Sequence, residues 1–190
     1  MSLTADALAV LEGWRAPNDA QEALRARYAD HVRSRPDPLS RSGRPDHLTA
    51  STLVLSADRS RVLLTLHAKA GRWFQLGGHC EPGDATLAGA ATREAREESG
   101  IATLTVDPVP VQLSDHAVPF CGSSTGPDGR ERPVHHLDVR FVAVVPPGAR
   151  HALSDESLDL RWWPVDALPD PEPDLLDLVR LALARLAPVR

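Results

Sequence analysis

The order of hydrophobic and polar positions predicts helices near both ends of the chain. Residues 4–14 and 18–33 carry apolar positions near helical spacing, and Asn18 is placed to cap the second helix. Residues 174–187, "DLLDLVRLALARLA", are amphipathic, and we expect their leucine stripe to pack into the core. After the second helix, residues 34–47 are rich in Pro, Ser and Gly, which predicts a loop or linker.

The middle of the chain predicts a sheet that surrounds one helix. Two β-rich runs, residues 48–56 and 61–67, are separated by "ADRS", which favours a hairpin. A helix is predicted at residues 85–99, ended by Gly100. Further strand-like runs lie at residues 71–76, 104–113, 134–145 and 158–165. Strands on both sides of one helix, with another helix closing the chain, indicate the α/β class (α+β in some schemes), built as an α/β/α sandwich with a mixed sheet.

The linker and the composition set the domain organisation. We place residues 1–47 in an N-terminal helical extension with its linker, and residues 48–190 in the main domain. With 190 residues, 42% of them hydrophobic, the chain is long enough to bury a core. The net charge of −5 argues against a basic surface for duplex nucleic acid. Small polyanions stay open as partners, because a bound cation can supply positive charge.

The sequence also carries signals of location. No segment approaches the roughly 20 apolar residues of a membrane-spanning helix. The N-terminus lacks the basic and apolar regions of a signal peptide. The two cysteines, Cys80 and Cys121, form no CxxC pair. We therefore expect a cytoplasmic protein with reduced thiols and no membrane partner.

Three glutamates are concentrated on one face of the helix at residues 85–99. Glu94, Glu97 and Glu98 stand at i, i+3 and i+4, so their like charges repel unless something offsets them. A hard divalent cation would do so, because carboxylate oxygens are the ligands that Mg²⁺ accepts. Arg93 lies four residues before Glu97 and is placed to hold its carboxylate. The alternative is a solvated helix face with charge pairs such as Arg93–Glu97.

A glycine-rich segment precedes this helix. Gly77 and Gly78 are expected to end a strand and let the backbone turn sharply. "EPGD", residues 81–84, predicts a tight turn with Asp84 as the cap of the helix. A strand, a turn and an acidic helix in this order would place backbone carbonyls beside the carboxylates. That arrangement suits a cation that carries a phosphate.

Residues 76–101, "LGGHCEPGDATLAGAATREAREESGI", resemble the Nudix box, G-x5-E-x7-R-E-U-x-E-E-x-G-U, in which U is bulky and apolar. "REAREESGI" fits the second half, with the small Ala95 at the first U, and "GGHCEPG" fits the first half. The acid due after Gly78 is Asp84 instead of Glu, and eight residues separate it from Arg93 where the pattern has seven. We place the extra residue in "DAT", before the first helical turn, where it leaves the carboxylate face intact.

The resemblance implies an activity and a set of site residues. Nudix proteins typically hydrolyse a nucleoside diphosphate linked to another moiety, using Mg²⁺, for which Mn²⁺ can substitute. Residues 48–190 would then be the Nudix hydrolase domain. The catalytic residues would be Arg93, Glu94, Glu97 and Glu98. The metal ligands would be Glu94, Glu97 and Glu98 with the Gly77 carbonyl, and Glu156 in a later loop is a candidate outer ligand or base. The identity of the general base stays open.

Several residues near the box are candidates for contact with the substrate. His67, Lys69 and Arg72 come just before it and Gly78 and His79 lie within it, where they could reach phosphates. Surface charge is the alternative for the first three. The substrate itself stays open among ADP-ribose, dinucleoside polyphosphates, nucleoside triphosphates and sugar nucleotides.

Two further groups of residues give no site by themselves. His135 and His136 are adjacent on a predicted strand and face opposite sides, so they do not form a paired zinc site. Cys80 lies in the box, but no neighbouring base predicts a nucleophilic thiol.

Two other functions compete with hydrolysis. One is a non-hydrolytic Nudix-like module that senses or binds a nucleotide, but such modules commonly lose box acids that this chain keeps. The other is an isoprenoid diphosphate isomerase on the same fold, whose cysteine motif Cys80 does not match. Nudix proteins are often dimers, so the resemblance also implies a homodimer.

Overall fold

A computed structural model describes residues 1–42, 46–125, 129–153 and 157–187. Within these residues the chain forms helices at both ends and a sheet with one helix between them. The helices are α1 (Leu3–Gly13), α2 (Asp19–Ser34), α3 (Leu87–Ser99) and α4 (Pro173–Arg185). The strands are β1 (His47–Leu55), β2 (Arg61–His67), β3 (Trp73–Phe74), β4 (Leu76–His79), β5 (Asp107–Thr125), β6 (Glu131–Val144) and β7 (Ser157–Pro164).

The strands of the described residues form one mixed sheet with β1 near its centre. β1 runs parallel to β6 along its whole length, from His47 opposite His136 to Leu55 opposite Val144. Its other edge is shared, because β4 pairs with its first half and β2 with its end, both antiparallel. β3 and β7 continue the sheet beyond β2, and β5 pairs with β6. The predicted mixed sheet is confirmed, and it forks where β4 and β2 separate.

Helices cover both faces of this sheet. On one face α3 packs through small and apolar residues (Leu87, Ala90, Ala91 and Ala95) in a core shared with α1 and α2. On the other face α4 buries its apolar stripe (Leu175, Leu178, Val179 and Ala182), as the leucine pattern predicts. The α/β/α sandwich is therefore confirmed. No helix in the described ranges has the length and apolar character needed to cross a bilayer.

The N-terminal helices are joined to the sheet by polar contacts as well as by apolar ones. The Asp6 carboxylate accepts a hydrogen bond from the Leu87 N–H, 2.8 Å away, at the first residue of α3. The Gln21 amide accepts from the Leu113 N–H at 2.6 Å and donates to the Leu113 carbonyl at 2.9 Å. α1 thus supports the start of α3 and α2 holds β5. The boundary at residue 47 stays a prediction.

The hairpin of β5 and β6 is longer than its sequence predicts. β5 reaches Thr125 instead of ending at Leu113, and β6 begins at Glu131. The added part of β5, "SDHAVPFCGSST", lacks a sustained apolar alternation. Its pairing with β6 extends as far as Thr125 opposite Glu131. The ladder, rather than side-chain burial, defines this part of the strand.

Candidate functional site

Helix α3 carries the acidic face and is capped at both ends. It begins at Leu87, where the Thr86 hydroxyl accepts a hydrogen bond from the Gly89 N–H at 2.9 Å, and it ends at Gly100. The expectation that Asp84 caps this helix is wrong. Thr86 directly precedes the helix, whereas the Asp84 carboxylate is used by other partners. Residues 84–86, where the extra residue of the box is predicted, lie before the first residue of the helix.

Arg93 connects the acidic face to the segment before it. Its Nε and Nη2 donate to the two Asp84 oxygens at 3.1 and 3.0 Å, and Nη2 also donates to the His79 carbonyl at 2.9 Å. Its Nη1 donates to Glu94 at 3.1 Å and to Glu97 at 3.0 Å. The predicted contact between Arg93 and Glu97 is therefore present, and one guanidinium holds three carboxylates and a backbone carbonyl.

The charges around Arg93 stabilise one another. The hydrogen bond that Arg93 donates to Asp84 is the largest cause that raises the Arg93 pKa, against the opposing effect of burial. Burial is the largest single cause and would raise the pKa of Asp84, but the hydrogen bonds from Arg93 and from the Glu81 N–H, together with the charge of Arg93, lower this pKa overall. The Asp84 side chain is only 7% exposed, so its ion pair is well shielded from water. Both groups stay ionised at neutral pH.

The two glycines of the box lie inside strand β4, so the expected sharp turn at Gly77 and Gly78 is wrong. Both pair with β1, opposite Ser51 and Ala50. A β-carbon built on Gly78 would lie 2.8 Å from the carboxylate carbon and both oxygens of Glu94. A β-carbon on Gly77, where φ is +149°, would lie 2.4 Å from Ser51. The glycines are needed for close approach on both sides of the strand.

The glutamates of α3 pack against the backbone of β4. Glu94 fills the space that the missing Gly78 side chain leaves, and the Glu98 carboxylate accepts a hydrogen bond from the Gly77 N–H at 2.7 Å. The Glu97 side chain is 58% exposed. Helical spacing keeps the three carboxylates on one face, beside the strand.

The donor set of this face suits a hard divalent cation. Mg²⁺ and Mn²⁺ prefer carboxylate oxygens as ligands. The Glu94 carboxylate lies close to the strand backbone, in the space beside Gly78. Glu94, Glu97 and Glu98 are the residues that would hold such an ion. The fourth predicted acid, Glu156, lies outside the described residues.

Two of the three basic residues before the box have hydrogen-bond or ion-pair partners within the chain, and the third is exposed. The His67 Nδ1 accepts a hydrogen bond from the Ala70 N–H at 3.2 Å, within the turn that follows β2. Lys69 is exposed in the same turn. Arg72 forms an ion pair with Glu172, just before α4. Phosphate contact by these three residues stays a prediction.

His79 belongs to a histidine cluster that sequence reasoning missed. Its ring stacks on His47 with the centroids 5.1 Å apart, and its centroid lies 4.9 Å from that of His136. The Cys121 Sγ lies 3.3 Å from His136 Nε2 and 3.8 Å from His79 Nε2. His135 faces the opposite side, as predicted, and its Nδ1 lies 2.6 Å from Asp115.

Burial controls the protonation of the cluster and of the other cysteine. It is the largest cause that lowers the pKa of His79 to about 4 and of His136 to about 3, followed by the neighbouring rings. It also lowers the pKa of His47. Burial, with Asp84 next, raises the pKa of the Cys80 thiol to about 12. Cys80 is thus protonated at neutral pH, which agrees with the absence of a predicted nucleophile.

A buried ion pair lies on the same face of the sheet as the cluster. Asp138 accepts hydrogen bonds from Thr49 at 3.0 Å, Ser51 at 2.7 Å and Arg140 at 2.9 Å. Arg140 also pairs with Asp174 of α4 at 2.9 Å. This network fills the space between the cluster and α4 with satisfied polar groups.

Comparison with known proteins identifies the family. The model of the family described as NUDIX domain matches residues 45–182. A comparison with curated proteins finds no match.

Several solved structures share the fold. A NUDIX family hydrolase from Clostridium perfringens is 23% identical, with a TM-score of 0.51 over 74% of this chain and 98% of that chain. The E. coli dihydroneopterin triphosphate pyrophosphohydrolase is 17% identical, with a TM-score of 0.55 over 72% and 95%. The NUDIX domain of Shewanella oneidensis NrtR, complexed with ADP ribose, is 18% identical, with a TM-score of 0.55 over 76% and 90%. Since the family model matches well over half of the residues of this chain, the chain belongs to the NUDIX family.

Proposed function

We propose that the protein is a Mg²⁺-dependent hydrolase that cleaves a diphosphate linkage in a nucleoside diphosphate derivative or a nucleotide. The observation that carries this proposal is the arrangement of Arg93 and the glutamates of α3 against β4. Arg93 contacts Glu94 and Glu97, and Gly77 donates to Glu98, so each carboxylate has a partner that fixes its direction. A site that binds a metal ion needs ligands whose side chains are held in this way.

The residues of this site have separate roles in the proposed reaction. Glu94, Glu97 and Glu98 hold Mg²⁺, with Mn²⁺ as a substitute. The cation, when bound, neutralises the negative charge of the diphosphate and orients it for attack by water on phosphorus. Arg93 is a positioning residue, because its hydrogen bonds hold two of the carboxylates and the His79 carbonyl. Asp84 in turn fixes Arg93 through two parallel hydrogen bonds.

The substrate class follows from charge and from the family. The net charge of −5 disfavours duplex nucleic acid, whereas a cation on the acidic face would attract a small phosphoanhydride. Two structures of similar fold are named for ligands of this class, dihydroneopterin triphosphate and ADP ribose. We extend the class, and not either compound, to this protein, and we propose that it acts in the cytoplasm.

A phosphate-release screen tests the proposal. The purified protein is incubated with Mg²⁺ or Mn²⁺ and a panel of nucleoside triphosphates, dinucleoside polyphosphates, sugar nucleotides and ADP-ribose. Inorganic pyrophosphatase releases phosphate from the pyrophosphate that a nucleoside triphosphate would yield, and a phosphomonoesterase releases it from the products of the other compounds, whose intact forms carry no terminal phosphate. The variant Glu98→Gln removes one carboxylate of the site, and Glu22→Gln, on the exposed surface of α2, is the matched control.

We expect at least one compound that the wild type and Glu22→Gln both hydrolyse. The turnover of this compound by Glu98→Gln should be lower by orders of magnitude. Equal activity of Glu98→Gln would reject the assigned metal site. No turnover of any compound, with Mg²⁺ still bound, would reject hydrolysis and favour the module that binds a nucleotide without cleaving it.

A further inference from the structure

We propose that His47, His79, His136 and Cys121 form a second metal site, for a transition-metal ion of the zinc type, separate from the acidic face of α3. The four residues come from four strands: β1, β4, β6 and β5. The ion would tie these strands together at one end of the sheet. This inference does not depend on the proposed hydrolysis.

Strand register brings the histidines together. His47 and His136 are direct partners in the parallel ladder of β1 and β6, and His79 pairs with Thr49, which shares the face of His47. The three ring centroids form a nearly equilateral triangle with sides of 4.9, 4.9 and 5.1 Å. One ligand nitrogen from each ring lies within 4.8 Å of the others.

Cys121 completes a set of four ligands. Its Sγ lies 3.3 Å from the Nε2 of His136 and 3.8 Å from the Nε2 of His79. A tetrahedral zinc site with bonds of about 2.0–2.1 Å to nitrogen places its nitrogens roughly 3.3 Å apart. The rings therefore need to move inward by about 1 Å, which small side-chain rotations supply. Ion binding would release the thiol proton to solvent, since the ligand is the thiolate.

His47 supplies an independent reason for a ligand. It is only 1% exposed, and neither of its ring nitrogens has a hydrogen-bond partner among the residues that the structure describes. Burying a polar group without a partner costs free energy, and such groups call for an explanation. A metal ion bound by one nitrogen would satisfy a group that the protein leaves unpaired.

The donor chemistry separates this site from the acidic face. Imidazole nitrogen and thiolate sulfur favour zinc and similar ions, whereas Mg²⁺ prefers oxygen. A cavity of about 650 Å³ lies beside the cluster, since Cys121 lines it together with Arg41 and Cys80. The backbone of His79 contacts the residue that positions the acidic face, because its carbonyl accepts a hydrogen bond from Arg93.

Cobalt spectroscopy tests the site in the full-length protein. Co²⁺ is added to chelator-treated protein in the presence of excess Mg²⁺, which occupies oxygen sites. Tetrahedral nitrogen and sulfur ligation gives intense visible bands, and a thiolate ligand adds a charge-transfer band in the near ultraviolet. Octahedral oxygen ligation gives only weak bands. Zn²⁺ is then used to displace the Co²⁺.

Matched variants assign the ligands. We expect one equivalent of tightly bound Co²⁺ with both signals in the wild type. Cys121→Ser should lose the charge-transfer band and His136→Asn should weaken binding by more than about tenfold. Cys80→Ser and His135→Gln should match the wild type, because Cys80 and the oppositely facing His135 are not ligands.

Two results would overturn the site: weak octahedral bands alone in the wild type, or bands that persist unchanged in Cys121→Ser and His136→Asn. Circular dichroism of each variant verifies folding. Cys121 is only half-buried, so Cys121→Ser decides the question if His136→Asn does not fold.

Discussion

The guanidinium of Arg93 binds the carboxylate of Asp84 through two parallel hydrogen bonds, 3.1 Å from Nε and 3.0 Å from Nη2. Asp84 stands where the Nudix box has its first glutamate, with one residue more than usual before Arg93. Residues 84–86 lie ahead of Leu87, outside the helix, and the Asp84 side chain, although shorter than that of glutamate, reaches the arginine. Asp84 therefore supports the acidic face without belonging to it.

Replacing Arg93 by lysine should reduce turnover strongly. Lysine keeps the charge but cannot make the forked contact with Asp84 while also reaching Glu94 and Glu97. We expect kcat to fall by about 10- to 100-fold, the range for groups that orient metal ligands, with a higher Mg²⁺ requirement. Steady-state kinetics over a Mg²⁺ series measures both effects.

Arg96→Lys is the matched control for this change. Arg96 lies on the same helix, but its Nε donates to the Leu104 carbonyl at 2.7 Å and not to the acidic face. If Arg93→Lys and Arg96→Lys have equal kcat and equal Mg²⁺ dependence, the Arg93 guanidinium does not position the carboxylates.

A methyl group at residue 78 should disturb the acidic face directly. In Gly78→Ala the new carbon would meet the Glu94 carboxylate, 2.8 Å away, and the carboxylate must shift. We expect weaker Mg²⁺ binding and at least a tenfold loss of turnover, because a displaced ligand changes the geometry of the site. Isothermal titration with Mg²⁺ reports the binding change without relying on activity.

Gly83→Ala controls for the loss of a glycine in this segment. Apart from its chain neighbours, no described residue has a heavy atom within 4 Å of a β-carbon built at Gly83, so this variant should bind Mg²⁺ like the wild type. Mg²⁺ affinity of Gly78→Ala equal to that of Gly83→Ala would show that Glu94 does not hold the ion.

Removal of divalent ions should abolish the activity of the wild type. Treatment with EDTA leaves the carboxylates without the cation that neutralises the diphosphate, and Mg²⁺ or Mn²⁺ added afterwards should restore turnover. The phosphate-release assay follows both steps. Activity that persists in EDTA would be inconsistent with a metal-dependent reaction, and Glu98→Gln should stay inactive after Mg²⁺ is restored.

The sequence predicts those parts of the site that local geometry determines. Glu94, Glu97 and Glu98 share a face because they lie on one helix, and helical spacing is readable from the chain. The box motif also leads to the fold, since the spacing of its residues is specific. The contact between Arg93 and Glu97 follows from the same spacing.

The sequence does not predict features that depend on strand register or on tertiary contacts. The composition places His47 in the linker, yet it begins β1 and pairs with His136, 89 residues later in the chain. The two glycines of the box predict a turn. The local sequence does not show that β4 pairs with β1 or that Glu94 packs on Gly78. Thr86, and not Asp84, caps the helix, because the Asp84 carboxylate binds Arg93. This tertiary contact is not visible in the local sequence.

The contact between Asp6 and α3 should contribute measurably to stability. The Asp6 carboxylate accepts a hydrogen bond from the Leu87 N–H, one of the backbone donors at the start of α3 that have no partner within the helix. Its negative charge also lies near the positive end of the helix dipole. Asp6→Ala removes both effects, and we expect a loss of about 1 kcal/mol in the free energy of unfolding.

Urea denaturation measures this loss. An m-value equal to that of the wild type would indicate that the variant exposes the same amount of surface on unfolding. Asp37→Ala removes an exposed carboxylate outside the helices and serves as the control. A midpoint for Asp6→Ala equal to that of Asp37→Ala would mean that the hydrogen bond adds nothing. A lower midpoint would show that the N-terminal helices stabilise the helix that carries the acidic face, so that they contribute to the site without touching the substrate.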